Sequence, residues 1–182
     1  MAFPYSSGEV LTAANLNASS GMVLINTTAI GSGVSSVTVT DVFNSTFDNY
    51  HVKISNCVSS TAVRLYLQFG VSGTMSTTGY YGGAGYINIG AASWQLSVVN
   101  NLSYGYCGGT TSQIAVADFA VNGPYVAQPT TAHGSYSLLD YGQIGHCWTY
   151  HSSTTQMTDF KIYPSSGTIS GGTIRVYGYN NG

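Results

Sequence analysis

The chain has 182 residues, of which only 5% are charged, and six carboxylates against four Lys or Arg leave a formal net charge of −2. An ordinary soluble domain is about a quarter charged; here polarity rests on Ser, Thr, Gly, Asn and Tyr, and Lys53, Arg64, Lys161 and Arg175 are too scattered to form the basic face that nucleic acids require. No run approaches the roughly 20 apolar residues of a membrane-spanning helix, while a 43% hydrophobic content in a chain of ordinary domain length suffices for a core without staples.

The first twenty residues read differently from the rest. Met1-Ala2-Phe3-Pro4-Tyr5 has neither the basic nor the apolar region of a signal peptide, so none is expected. Leu11–Asn17 predicts one short helical turn, with Thr12 as N-cap and Ala13, Ala14 and Leu16 as helix formers. Ser- and Gly-containing connections flank it on both sides. Residues 1–20 are therefore expected to form an arm, either a strap packed on its own domain or an anchor that orders against a partner, with Phe3, Tyr5, Val10, Leu11 and Leu16 as its candidate contacts, and residues 21–182 a separate β domain.

From there on, alternating or β-branched runs are bounded by Gly, Ser, Asn and Pro clusters. They predict strands at Met22–Thr28, Ser36–Phe43, Tyr50–Cys57, Ala62–Phe69, Tyr86–Ile89, Trp94–Val99, Ile114–Val121, Gly134–Tyr141, His146–His151, Thr158–Tyr163 and Thr173–Tyr179. Strand number and loop length suit an all-β, antiparallel β-sandwich of jelly-roll type. In Tyr50-His51-Val52-Lys53-Ile54, Phe160-Lys161-Ile162-Tyr163 and Thr173-Ile174-Arg175-Val176-Tyr177 a cation alternates with apolar residues, the pattern of a sheet with one wet face.

Two stretches, Gly79–Tyr86 and Ser103–Gly109, are rich in Tyr and Gly and are expected as loops. Glycine lets the backbone approach a partner closely, and tyrosine offers an apolar ring with a polar tip. Tyr80, Tyr81, Tyr86, Tyr104 and Tyr106 are thus candidate ligand-binding residues, with rings able to stack on sugars.

Catalytic constellations are not apparent. His133, Ser135 and Asp140 lie close in sequence, but on a strand Asp140 points away from the other two, and no G-x-S-x-G elbow occurs. Nothing pairs Asp118, Asp140 or Asp159 into the two-carboxylate arrangement of a glycosidase. In His146-Cys147-Trp148-Thr149-Tyr150-His151 the two histidines fall on opposite faces of a strand, and no C-x-x-C or H-E-x-x-H spacing is present. Cys57, Cys107 and Cys147, odd in number and widely spaced, are expected as buried thiols rather than a disulfide framework. The expectation is a non-enzymatic protein with no catalytic residue, metal or cofactor. Its near-neutral charge favours self-association.

Phe3-Pro4-Tyr5-Ser6-Ser7-Gly8-Glu9-Val10-Leu11-Thr12-Ala13-Ala14-Asn15-Leu16-Asn17 contains a G-x-V-L-T-A-x-x-L-N pattern and resembles the opening of tail-fibre and other virion proteins of tailed bacteriophages. Phe43–Ile54 and Ser166–Tyr179 resemble segments common in the same class. The resemblance covers well under half of the chain. It implies a virion structural protein, assembled in the host cytoplasm as a homo-oligomer, commonly a homotrimer: a β-sandwich knob of a tail fibre or a capsid decoration. Its partners would be further copies of itself and other head or tail proteins. The alternative is a fibre tip for host attachment that binds a surface glycan or protein through the tyrosines named above. Neither nucleic acid nor membrane is expected as a partner.

Overall fold

The computed structural model describes residues 21–112, 115–138 and 141–180. The expected arm, with Phe3, Tyr5, Val10, Leu11 and Leu16, and the carboxylate of Asp140 lie outside the described residues.

Eight strands build the body: β1 (Met22–Ala29), β2 (Val37–Val39), β3 (Asn49–Ser55), β5 (Val63–Val71), β9 (Gly105–Thr110), β10 (Ala115–Asn122), β13 (Asp159–Pro164) and β15 (Thr173–Tyr179). They form two layers, β1-β15-β3-β10 and β2-β13-β5-β9. Counted among these eight alone, the orders are 1-8-3-6 and 2-7-4-5, the winding of a jelly roll. Every pairing is antiparallel. β10 joins the layers at one end: Ala115 and Val116 pair with β9, whereas Ala117–Asn122 pair with β3.

Between the body strands the chain adds β4 (Val58–Ser59), β6 (Thr74–Met75), β7 (Tyr80–Asn88), β8 (Ser93–Leu102), β11 (Thr130–Leu138), β12 (Gln143–His151) and β14 (Ile169–Ser170). The hairpins β7–β8 and β11–β12 come from different connections, yet they pair as β11-β12-β7-β8 on the free side of β10. The first layer is thereby widened to eight strands, β1-β15-β3-β10-β11-β12-β7-β8.

Alternation in sequence explains which faces meet. Tyr50, Val52 and Ile54 of β3, Phe119 and Val121 of β10, and Ile174 and Val176 of β15 point inward from the wide layer. Leu65, Leu67, Phe69, Phe160 and Ile162 face them from the narrow one. Phe43 closes the core, its ring 4.8 Å from that of Tyr50 and 5.7 Å from that of Phe160. The buried Tyr50 hydroxyl accepts from the Asn44 N–H and donates to the Asn44 carbonyl. A buried phenol is kept when both roles of its hydroxyl are satisfied.

Each expected strand has a counterpart, but the one expected at Tyr86–Ile89 starts at Tyr80 and the one at Gly134–Tyr141 starts at Thr130. Two expected loops are corrected. Tyr80–Asn88 is a full strand of the widened layer, between β12 and the edge strand β8. Gly105–Thr110 is a strand buried at every position, between β5 and the start of β10. Ser36–Phe43 forms only a three-residue strand.

Candidate functional site

The five tyrosines expected to line binding loops do not form one surface. Tyr80 is fully buried: its hydroxyl takes the Phe69 N–H at 2.7 Å, and its ring lies 4.4 Å from that of His151. Tyr86 and Tyr106 are also buried. Tyr104 is half-buried and stacks on Tyr66 at 3.8 Å, in a cluster with Tyr106 and Tyr163. Tyr81, also half-buried, packs beside Tyr150 at 6.0 Å on the outer face of the wide layer. Three of the five candidates are therefore core residues, because their segments became strands rather than loops.

The candidate acids are separated in the same way. Asp118 stands on the outer face of β10, where His51 Nε2 lies 2.7 Å from one carboxylate oxygen and Lys53 Nζ 3.7 Å from the other. Asp159 belongs to the other layer and is fully buried. It accepts from the Asp41 N–H at 2.9 Å, from the Thr158 hydroxyl at 2.7 Å and from the Gly73 N–H, so it fixes two turns in place. His146 is exposed and Cys147 and His151 are buried, on opposite faces of β12. No cluster of metal-ligating side chains occurs among the described residues. The three cysteines are free and buried, and burial pushes the thiol of Cys147 up to about 12.

One serine–histidine contact joins residues that no sequence motif links. Ser76 Oγ lies 3.0 Å from His151 Nε2 and donates to the Thr78 carbonyl. Ser76 also lines a shallow cleft of about 240 Å³ with Met75, Ser153 and Met157. The His151 imidazole is wedged against Tyr80 and Phe69, and burial holds it below its ordinary pKa. The contact anchors a buried neutral ring.

The largest coherent feature is the outer face of the wide layer, and its two halves differ in chemistry. On the jelly-roll half, Asp118, Lys53 and Arg175 lie in one cross-strand row, with His51 and Tyr177 in the next. The Tyr179 hydroxyl lies 3.5 Å from His51 Nδ1. The added half, β11-β12-β7-β8, contains no Asp, Glu, Lys or Arg. There the register aligns Ile144 with Ile87 and Trp94, Trp148 with Gly83 and Val98, and His146 with Gly85 and Leu96. Trp94 is 63% exposed, Leu96 58% and Val98 63%. Ile87, Ile144, Trp148 and Tyr150 are exposed as well. A methyl group added to Gly85 would lie 2.6 Å from the Trp94 ring and 3.2 Å from that of Trp148, so both indoles lean over this glycine.

Sequence reading placed Trp94–Val99 and His146–His151 on strands without marking this surface. Alternation identifies an apolar face; it does not say whether the same chain covers it. No family model matches the chain, and no match was found among curated proteins or solved structures.

Proposed function

We propose that this chain is a non-enzymatic structural component of a tailed-bacteriophage particle, a homo-oligomeric jelly-roll knob held to the particle by residues 1–20. The observation that carries the reading is the uncovered apolar half of the wide layer. Single chains rarely leave an apolar patch of that size in water unless another molecule covers it. The sequence resemblance supports the virion part. Two of its three segments, Phe43–Ile54 and Ser166–Tyr179, cover all but the last residue of β3 and all of β15, which are neighbours in the wide layer with Val52 opposite Val176 and Ile54 opposite Ile174. These two segments therefore lie side by side in the sheet.

The arm is the part to remove. Deletion of residues 1–20 is expected to abolish incorporation into particles assembled in an infected host, while the remaining domain stays soluble and folded. Particles that carry the truncated chain at the normal level would overturn the attachment role.

A further inference from the structure

We infer that the apolar half of the wide layer, centred on β8, β7 and β12, is the contact surface for a second copy of this chain, packed sheet face against sheet face. The inference deepens the self-association in the proposed function and is independent of where the oligomer resides.

Area is the first argument. Seven large apolar side chains on this surface are between 41% and 63% exposed. Together they present on the order of 800 Å² of surface, more than the roughly 300–600 Å² of the largest apolar patch on an ordinary monomer. It is close to the roughly 800 Å² that each partner contributes to a standard stable interface.

The sheet edge is the second. β8 ends the wide layer and pairs only with β7. It is ten residues long and lacks Pro and charge, the devices that normally blunt an exposed edge. Its single bulge, at Asn101, lies near one end and leaves Ser93–Asn100 regular, whereas β2, at the end of the narrow layer, is only three residues long. An unprotected edge beside an uncovered face is tolerable in a strand that the assembled protein covers.

Charge is the third, and it selects the occupant. All ten Asp, Glu, Lys and Arg residues lie outside the four added strands. A surface whose only ionisable groups besides tyrosine are the imidazoles of His133 and His146 offers little electrostatic pattern by which to choose a different protein. Two identical copies suffer no like-charge repulsion there, and a face meeting itself about a two-fold axis is self-complementary by symmetry. The exposed Val98 side chain, beside Gly83, which has none, provides relief for such packing.

Both tryptophans of the chain, Trp94 and Trp148, lie on this surface, so their fluorescence reports on its burial. The full-length chain should run in light scattering as an assembly of at least two copies. Dilution should lower the mass and move tryptophan emission to the red together. The double variant Leu96→Lys, Val98→Lys changes side chains already exposed in the single chain. It should raise the dissociation constant at least about 30-fold, a hot-spot-sized loss, with far-UV circular dichroism unchanged. Thr27→Lys, on the same face but on β1, should leave association intact. Should the double variant fail to fold, Val98→Lys alone and the dilution series on the unaltered chain remain decisive. A full-length chain that is monomeric at high concentration overturns the inference, as does an oligomer whose mass and emission ignore both substitutions. Neither result bears on attachment through residues 1–20, which the incorporation experiment tests separately.

Discussion

His151 shows how a residue that looks reactive in sequence becomes structural. The residue is 1% exposed, its ring tilted against that of Tyr80 and tied to Ser76. Desolvation lowers its pKa, and the Thr78 carbonyl opposes this only in part. In the unfolded chain the ring titrates near 6.5. As pH falls below that value the unfolded state takes up a proton that the folded state still refuses, so stability declines until the depressed folded pKa is passed and then levels off. Urea denaturation at a series of pH values should show this decline, and His151→Phe should flatten it. An unchanged slope in the variant would assign the effect to other groups. Asp159 teaches the same lesson: buried and satisfied by Asp41, Gly73 and Thr158, it braces turns and has no access to a substrate.

Among the elements, β9 departs most from its sequence. Gly105-Tyr106-Cys107-Gly108-Gly109-Thr110 contains three glycines, and glycine weakens a strand by entropy and lost packing. The strand forms because the added hairpins lie directly on it. A methyl group on Gly105 would run into the Thr149 side chain, and one on Gly109 into the Ser137 carbonyl. The Thr149 hydroxyl also donates to the Tyr106 carbonyl at 3.0 Å. These glycines therefore permit close approach of two layers rather than a flexible loop. Gly105→Ala should cost about 1–3 kcal/mol by overpacking. Gly90→Ala, whose added carbon would meet nothing nearer than the Asn88 side chain at 3.7 Å, should stay within about 0.5 kcal/mol of the original. Urea midpoints compare the two directly. Equal losses would mean that the contact with Thr149 does not set the requirement, because the entropy lost from the unfolded chain on Gly→Ala favours folding.

At the scale of the molecule, charge on the outer face of the wide layer is confined to one half. The jelly-roll half of the wide layer carries His51, Lys53, Asp118 and Arg175, and the added half carries none of the Asp, Glu, Lys or Arg residues. Association through the added half should therefore resist salt, because screening acts on charges and leaves apolar burial in place. Sulfate should strengthen it. Sedimentation velocity at low and high salt checks this, and dissociation at high salt would point to the charged half as the contact instead.

The sequence alone determined the fold class and most strand positions. Alternation in segments such as Tyr50–Ile54 and Thr173–Tyr177 is a local signal, set by the two-residue repeat of a strand, and the buried and exposed residues fall where that repeat puts them. It also indicated that Lys53 would face outward, as it does. Tertiary structure decided the rest. Only the pairing of two hairpins separated in the chain could turn the Tyr- and Gly-rich segments into β7 and β9, bury Tyr80, Tyr86 and Tyr106, and leave Trp94, Leu96 and Val98 uncovered. A strand's periodicity specifies which side chains share a face; what lies against that face depends on non-local contacts that local pattern does not encode.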